Sequence, residues 1–349
     1  MPSRSIGAGG RRPRPRIVRA LLSIATIGVT AFTLSGCGLL SGSDGADAGG
    51  NGQLEKSTIV VGSLPALSQA PVALAQAKGY FAQEGLTVKV QPVGDGPAAL
   101  TALISGQNDI SLGSYTAPIK AQATGAGDLK IVNEMLVSTP NMMNIMTLPG
   151  SKVKQPDDLS DAKIAISAPG AISDIGAKAA MQERGIDYRD AEFVKLSFPD
   201  MLAAMQRGQV DAAVMTEPYI SQAAKSAGAI TVMDCFSGGT ADFPQAGAFT
   251  TAKFAQQNPK TLAAFQRAIQ KAQLAGQNRA EMTPLLPQFA KIPPDLAPIV
   301  ELGRIPTSMD AARLQRVSTL MKRFGQIPRD VDVSKMLVQP PPAPAAVGG

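Results

Sequence analysis

The polar residues best placed to bind a small molecule fall in five short loops. Four of these loops follow an apolar, strand-like segment and precede a helical one, and the fifth lies at a predicted crossing between two lobes. Each following helix would present free N–H groups and a positive dipole end, which suits a polar or anionic ligand without any Arg. The candidate ligand-binding residues are Ser63, Ser68, Gln69, Ser114, Tyr115, Thr116, Asn141, Pro169, Gly170, Ala171, Thr216 and Glu217.

The Ser and Thr residues, Tyr115 and Glu217 each have a structural explanation as well as a ligand-binding one. Ser and Thr at such turns commonly cap their own helix. Gly170 would let backbone approach a ligand closely. Tyr115 offers an aromatic wall and a phenol donor, or a packed core ring. Glu217 carries the one formal charge in the loops, so it would pair with an amine or a pyrimidine amino group, or serve a structural role beside a hinge.

Catalysis by the common nucleophile systems is disfavoured because the chain contains no His. Imidazole is needed for Ser–His and Cys–His activation and is the commonest neutral metal ligand. The chain has two Cys, Cys37 and Cys235. If Cys37 is lipidated, Cys235 has no disulfide partner and is expected to be a buried apolar residue. We therefore predict no catalytic residues, no metal site and no cofactor, although chemistry by carboxylates alone stays open.

The N-terminal segment has the pattern of an export signal. Six Arg residues and no acid precede Cys37, and an apolar run covers residues 20–34. Leu34-Ser35-Gly36-Cys37 then resembles the bacterial lipobox, in which the Cys thiol is acylated after cleavage. We predict a lipoprotein signal peptide at 1–36, lipidation of Cys37, and a lipid anchor with flexible tether at 37–57. The alternative is an ordinary signal peptide with an incidental Cys, and the export route, general or twin-arginine, is left open.

The net charge of +6 belongs to this leader. Six of the 33 basic residues lie before Cys37, which leaves 27 basic against 27 acidic residues. No basic surface is therefore expected after Cys37, and nucleic acid is not an expected partner. The Pro-rich segment 339–349 is predicted to be a disordered tail.

Between these ends, apolar runs alternate with helical patterns, which predicts parallel sheets with helices on both faces. Pro residues soon after several of the runs mark helix starts. Four Met residues near the first crossing are expected to fill the core, namely Met135, Met142, Met143 and Met146. The predicted strands are Thr58–Val61, Leu86–Val90, Asp109–Leu112, Leu129–Met135, Lys163–Ile166, Glu192–Leu196, Asp211–Met215 and Ala229–Met233.

One internal repeat indicates two similar lobes. Residues 97–109 and 199–211 share Pro, Leu, Ala, Gly, Gln and Asp at equal offsets, 102 residues apart. Each copy reads as a helix, a Gly-Gln-x-Asp turn and a strand. The spacing is too long for a solenoid repeat, so two related α/β units explain it better.

Three segments also share their order and spacing with a known family. They are Ala77–Val88 (AKGYFAQEGLTV), Leu103–Ile110 (LISGQNDI) and Met205–Ala213 (MQRGQVDAA), the last followed by Glu217-Pro218-Tyr219. These segments resemble the substrate-binding proteins of bacterial ABC importers for sulfonates, taurine, nitrate and thiamine-precursor pyrimidines. The resemblance extends from Ile59 to about Leu274.

The resemblance implies an α/β fold of two doubly wound lobes with a hinge, of the type II periplasmic binding protein kind. Lobe 1 would comprise 58–138 and 246–338, and lobe 2, comprising 139–245, would be inserted in it. The crossings are expected near Val137–Pro140 and Asp242–Gly247.

The resemblance also implies a monomeric, lipid-anchored, extracytoplasmic receptor at the cell membrane. It would deliver a small organic or anionic solute to ABC permease and ATPase subunits. An enzyme of the same fold in cofactor-precursor synthesis and a ligand sensor without transport are the alternatives. The identity of the solute is not fixed by the sequence.

Overall fold

The computed structural model describes residues 53–339, so Cys37 and the tail from residue 340 lie outside the described residues. The described part contains ten strands and twelve α-helices. The strands are β1 Thr58–Ser63, β2 Thr87–Pro92, β3 Ile110–Gly113, β4 Leu129–Val137, β5 Met143–Thr147, β6 Lys163–Ile166, β7 Glu192–Lys195, β8 Ala212–Thr216, β9 Ile230–Asp234 and β10 Pro244–Thr251. The helices are α1 Ala70–Ala77, α2 Tyr80–Gln83, α3 Gly96–Ile104, α4 Thr116–Thr124, α5 Ile172–Glu183, α6 Phe198–Gln206, α7 Tyr219–Ala227, α8 Ala252–Gln257, α9 Pro259–Ala275, α10 Arg279–Met282, α11 Leu286–Phe289 and α12 Ala311–Arg323.

The strands form two five-stranded sheets of matching design. The first sheet has the order β2-β1-β3-β10-β4 and the second the order β7-β6-β8-β5-β9. In each sheet the first three strands are parallel, and the fourth strand pairs antiparallel with both of its neighbours. The α/β class with two doubly wound lobes is therefore confirmed. We call the sheets with their helices lobe 1 and lobe 2.

Each of the predicted parallel sheets contains one antiparallel strand that the sequence did not predict, β5 in lobe 2 and β10 in lobe 1. All five residues of β5 are buried, so this strand has no alternating pattern to reveal it. β10 begins at Pro244 and contains Gly247, residues that usually signal a loop. The Met residues near β5 were predicted correctly as core, since Met135, Met142 and Met143 are fully buried.

The internal repeat is a structural unit that occurs once in each lobe. Asp109 precedes β3, its carboxylate accepts a hydrogen bond from the Val60 N–H at 2.9 Å, and its own N–H donates to the Val60 carbonyl. Asp211 precedes β8 and makes the same two bonds with Lys163, with the carboxylate bond at 2.7 Å. Each Asp thereby ties the strand that follows it to the middle one of the three parallel strands, β1 in lobe 1 and β6 in lobe 2.

We expect Asp109→Ala and Asp211→Ala each to lower the free energy of unfolding by about 1–3 kcal/mol, because each removal leaves a strand N–H without its acceptor. The losses should add in the double variant, because the two residues lie in different lobes. Urea denaturation followed by circular dichroism measures both effects. The exposed Asp190→Ala is the control and should be nearly neutral; strong non-additivity would contradict independent roles.

Two chain crossings and one helix connect the lobes. The crossings are residues 138–142, between β4 and β5, and residues 235–243, between β9 and β10. Part of the predicted second crossing therefore lies within β10. Helix α12 packs against α4 of lobe 1 and α5 of lobe 2. The lobe boundaries at 138/139 and 245/246 stay a prediction, and α12, assigned by sequence to lobe 1, contacts both lobes.

Side chains of α12 belong to one hydrophobic cluster that runs across the lobes. Leu314, Val317 and Met321 are buried in it together with Ile119 of α4 and Ile175 of α5. Within residues 53–339, no helix has both the length and the apolarity that crossing a membrane requires.

Candidate functional site

A cavity of about 950 Å³ is lined by loops from both lobes. Each lobe contributes the segments that follow the carboxyl ends of its three parallel strands, which is where open α/β sheets bind ligands. Four of the six segments were predicted from the sequence, and those after β2 and β7 were missed. In lobe 1 the segments are 64–68, 94–97 and 113–118, and in lobe 2 they are 167–172, 195–199 and 216–219.

The structure brings together eight of the twelve predicted site residues on the cavity wall. These are Ser68, Ser114, Thr116, Pro169, Gly170, Ala171, Thr216 and Glu217.

Tyr115 is not on the cavity wall, so of the two explanations that the sequence left open, the packed core ring is the one that the structure shows. Its side chain is 1% exposed, and its hydroxyl donates to the Ala246 carbonyl at 3.0 Å. Its ring packs edge-on against Phe249, with centroids 5.3 Å apart. A Cβ at Gly247 would lie 2.7 Å from the Tyr115 hydroxyl, so glycine leaves room for the ring. Tyr115 therefore anchors α4 on β10.

Three further predicted residues, Ser63, Gln69 and Asn141, also lie off the wall. The Ser63 hydroxyl is buried and donates to the Leu64 carbonyl at 2.9 Å, and it also reaches the Gln69 amide oxygen at 3.4 Å. Asn141 adopts a φ of 68°, and its N–H donates to the Asp234 carboxylate at 3.1 Å. The Ser63 and Gln69 side chains thus bond within the turn after β1, and the Asn141 backbone is tied to the end of β9 at the first crossing.

The carboxylate of Glu217 is directed mainly toward the first turn of α7. It accepts from the Ser221 hydroxyl at 2.8 Å and from the Ser221 N–H at 3.2 Å. Burial raises the pKa of Glu217, and the nearby Glu301 charge acts in the same direction. Much of its hydrogen-bonding capacity is thus used within the protein, which weakens the case for pairing with a ligand amine.

The raised pKa of Glu217 predicts a pH effect on stability. A carboxyl group whose folded-state pKa exceeds its unfolded value contributes stability at low pH, and that contribution is lost as the pH rises through the folded pKa. In Glu217→Gln we therefore expect a smaller loss of stability than in the wild type as the pH rises from about 4.5 toward 7. Urea unfolding at several pH values measures the difference, and parallel curves for the two proteins would refute it.

The loop after β6 is held by the first turn of α5. The Ser167 N–H donates to the Ser173 hydroxyl at 3.0 Å, and the Gly170 N–H donates to the Asp174 carboxylate at 2.7 Å. Asp174 is completely buried and forms an ion pair with Lys178 at 2.7 Å. This arrangement fixes residues 167–171 against the cavity.

Gly170 lines the cavity, but its closest constraint is a side chain of the protein. Its φ is +74°, a conformation that favours glycine. A Cβ there would lie 2.5 Å from the Gln326 side-chain oxygen. The group that lies close to the Gly170 backbone is thus Gln326, from the segment after α12, where the sequence had predicted a ligand.

Several polar and aromatic residues that line the cavity were not predicted from the sequence. Lys195 ends β7 and Phe198 follows it. Pro199, the first residue of the second repeat copy, was the available signal for that loop. Tyr219 begins α7 directly after the cis Glu217–Pro218 bond. Lys120 lies on α4, and Lys291 comes from the C-terminal part of the chain, where no motif marked a site.

Two α/β sheets of the same order, facing one cavity with the loops of their parallel strands, define the class of two-lobed periplasmic binding proteins. The alkanesulfonate-binding protein SsuA of Xanthomonas axonopodis pv. citri, bound to MOPS, has this fold. It matches with a TM-score of 0.69 at 22% identity, covering 82% of this chain and 99% of that chain.

The chain belongs to the NMT1/THI5 like family, whose model matches residues 67–279. An Escherichia coli protein named as a candidate aliphatic sulfonates-binding protein is 29% identical over 255 residues, which are 70% of this chain and 77% of the relative. The bicarbonate-binding protein CmpA of Synechococcus elongatus is 26% identical over 338 residues, 84% and 73% of the two chains. These relatives are named as binding proteins, and neither is named as an enzyme.

Proposed function

We propose that this protein is the extracytoplasmic solute-binding component of an ABC importer. It captures a small organic or anionic solute between its lobes and presents the closed, loaded form to a permease and its ATPase. The observation that carries the proposal is the cavity itself, because all six loops at the carboxyl ends of the parallel strands line it. The names of the relatives, which refer to aliphatic sulfonate and bicarbonate binding, support the same role.

The mechanism follows from the division of the cavity between the lobes. A solute that contacts Ser114 and Thr116 of lobe 1 together with residues 167–172 of lobe 2 gains its full set of contacts only when the lobes approach each other. Binding then shifts an open–closed equilibrium by the difference in affinity between the two forms. A permease that recognises the closed form would be engaged only by loaded protein.

Thermal unfolding of the purified protein with a panel of solutes tests the proposal. The panel contains alkanesulfonates, taurine, nitrate, bicarbonate and aminopyrimidines. A solute at about 100 times its dissociation constant should stabilise the fold by about 2.7 kcal/mol. The same solute should reduce the radius of gyration in small-angle X-ray scattering, because the lobes close. Conversion of a solute to product would instead favour an enzyme, and binding without closure would contradict the mechanism.

The membrane attachment is proposed to depend on lipidation of Cys37. In a bacterial host that processes lipoproteins, we expect Cys37→Ala to move the protein from the membrane fraction to the soluble extracytoplasmic fraction. Labelling with a radioactive fatty acid should be lost in the same variant. Cys235→Ala is the control, because Cys235 is completely buried and should remain without effect on labelling. Continued labelling of Cys37→Ala would refute this attachment.

A further inference from the structure

The charges on the cavity wall favour a negatively charged ligand. Lys120, Lys195 and Lys291 line the cavity, and none of the three has a carboxylate oxygen within 4 Å among residues 53–339. The two acids on the wall are engaged, Asp95 with the Ala98 N–H at 2.7 Å and Glu217 with Ser221. The lysines are solvated while the cavity is open, and closure around an anion would strengthen their attraction by excluding water.

Two of these lysines stand on opposite lobes. Lys195 ends β7 in lobe 2, and Lys291 follows α11 in lobe 1. Lys291 has a φ of 54°, one of three positive values at non-glycine residues in the described part of the chain. A long side chain in this region is uncommon, and such backbone strain is concentrated at binding sites. An anion held between Lys195 and Lys291 would engage both lobes.

An aromatic pair on the same wall is suited to a flat ligand. Phe198 and Tyr219 are the first residues of α6 and α7, both line the cavity and both are half-buried. Their rings are stacked, with centroids 5.8 Å apart and planes 17° apart. Lys195 precedes Phe198 by three residues, so a cation and one ring of the pair belong to the same loop. We call Phe198 and Tyr219 the aromatic pair.

The remaining wall is largely apolar, with Leu100, Leu103 and Ile172 among its residues. A bare oxyanion such as nitrate or bicarbonate has no apolar surface to cover these side chains, so they would stay wet after closure. A ligand with a sizeable apolar body would displace that water. The cavity volume of about 950 Å³ is in the range that accommodates drug-sized molecules.

Resting on the proposed function, we infer that the solute is an aromatic organic anion. Its sulfonate or carboxylate group is bound between Lys195 and Lys291, and its ring stacks on the aromatic pair. This goes beyond the aliphatic and inorganic anions for which the relatives are named.

Isothermal titration calorimetry of the purified, full chain tests the ligand class with matched pairs. Naphthalene-2-sulfonate and naphthalene-2-carboxylate should bind, whereas 2-naphthylmethylamine, which has the same ring and opposite charge, should bind at least 100-fold more weakly. Benzenesulfonate should bind about two- to tenfold more tightly than cyclohexanesulfonate, which isolates the aromatic contribution. Equal affinity within either pair would overturn the inference. The two naphthalene acids decide which anionic group is preferred.

Variants assign the two parts of the ligand. Lys195→Gln and Lys291→Gly should each weaken naphthalenesulfonate binding about tenfold, and glycine suits the positive φ at 291, so the second variant should fold normally. Lys89→Gln, on the exposed edge strand β2, is the charge-matched control. Tyr219→Leu should weaken aryl sulfonates at least fivefold but hexanesulfonate less than twofold, and Tyr219→Phe should restore binding. Full affinity in both lysine variants would overturn the assignment.

The same experiments separate the two proposals. Tight binding and lobe closure with hexanesulfonate, taurine or an aminopyrimidine, but not with aryl anions, would overturn the inference and leave the proposed function standing. The absence of binding and closure across the whole panel would count against both.

Discussion

Glu134→Ala is expected to lower the free energy of unfolding by about 3–5 kcal/mol, because it leaves the largely buried guanidinium of Arg313 with only the half-exposed carboxylate of Asp310, at 3.6 Å. Arg313, on α12, donates to both carboxylate oxygens of Glu134, on β4, at 2.9 and 2.7 Å. The Glu134 side chain is 0% exposed and that of Arg313 is 16% exposed. The hydrogen bonds to Glu134 raise the pKa of Arg313. The guanidinium stays charged without them, because the intrinsic pKa of Arg lies far above neutral pH.

Chemical denaturation of the single and double variants measures this effect. Replacing both partners, as in Glu134→Leu with Arg313→Met, should recover most of the loss, since no buried charge is then left unpaired. The exposed pair of Asp187 and Arg189 is the control, and Asp187→Ala should be nearly neutral. A double variant no more stable than Glu134→Ala would mean that packing, rather than charge, explains the loss.

Asp174→Ala is expected to reduce both stability, by about 2–4 kcal/mol, and solute affinity. The substitution removes the acceptor of the Gly170 N–H and the carboxylate beside Lys178, whose side chain is 17% exposed. Asp174 does not line the cavity, so any loss of affinity would come from displacement of residues 167–171. Thermal unfolding and calorimetry with the tightest solute of the panel measure the two effects.

A matched variant separates charge from loop positioning at this site. Asp174→Asn keeps an oxygen that can accept from the Gly170 N–H but removes the charge next to Lys178. We expect it to retain most of the solute affinity while losing part of the stability. If Asp174→Asn and Asp174→Ala lose affinity equally, the hydrogen bond to Gly170 is not what positions the loop.

The strands that share the common direction of each sheet were predicted from local sequence, whereas the two strands of opposite direction, β5 and β10, were not. β6 was predicted with its observed bounds, because a short apolar run between turns is a local signal. β10 takes its place between β3 and β4, strands that lie more than 100 residues away in the chain. No local pattern encodes such a partner, and Pro244 and Gly247 point the other way.

The errors at the site have the same origin. Tyr115 was expected to face a ligand because it follows β3 in a site loop, but its ring packs against β10, a strand that the sequence did not reveal. Lys291 reaches the cavity through the packing of the C-terminal helices, which no motif anticipated. The predicted loops after β1, β3, β6 and β8 do line the cavity, because strand ends in such sheets converge on one edge by topology alone.

The position of β10 also bears on the order of folding. Strands β5 to β9 form a sheet from one continuous stretch, Met143–Asp234, whereas the sheet of lobe 1 lacks its fourth strand until residues 244–251 are available. Pairings between distant segments form more slowly because a long loop must first be closed. Lobe 2 can therefore mature while β3 and β4 still have open edges, which makes the incomplete first sheet the part of the chain most exposed to aggregation during biogenesis.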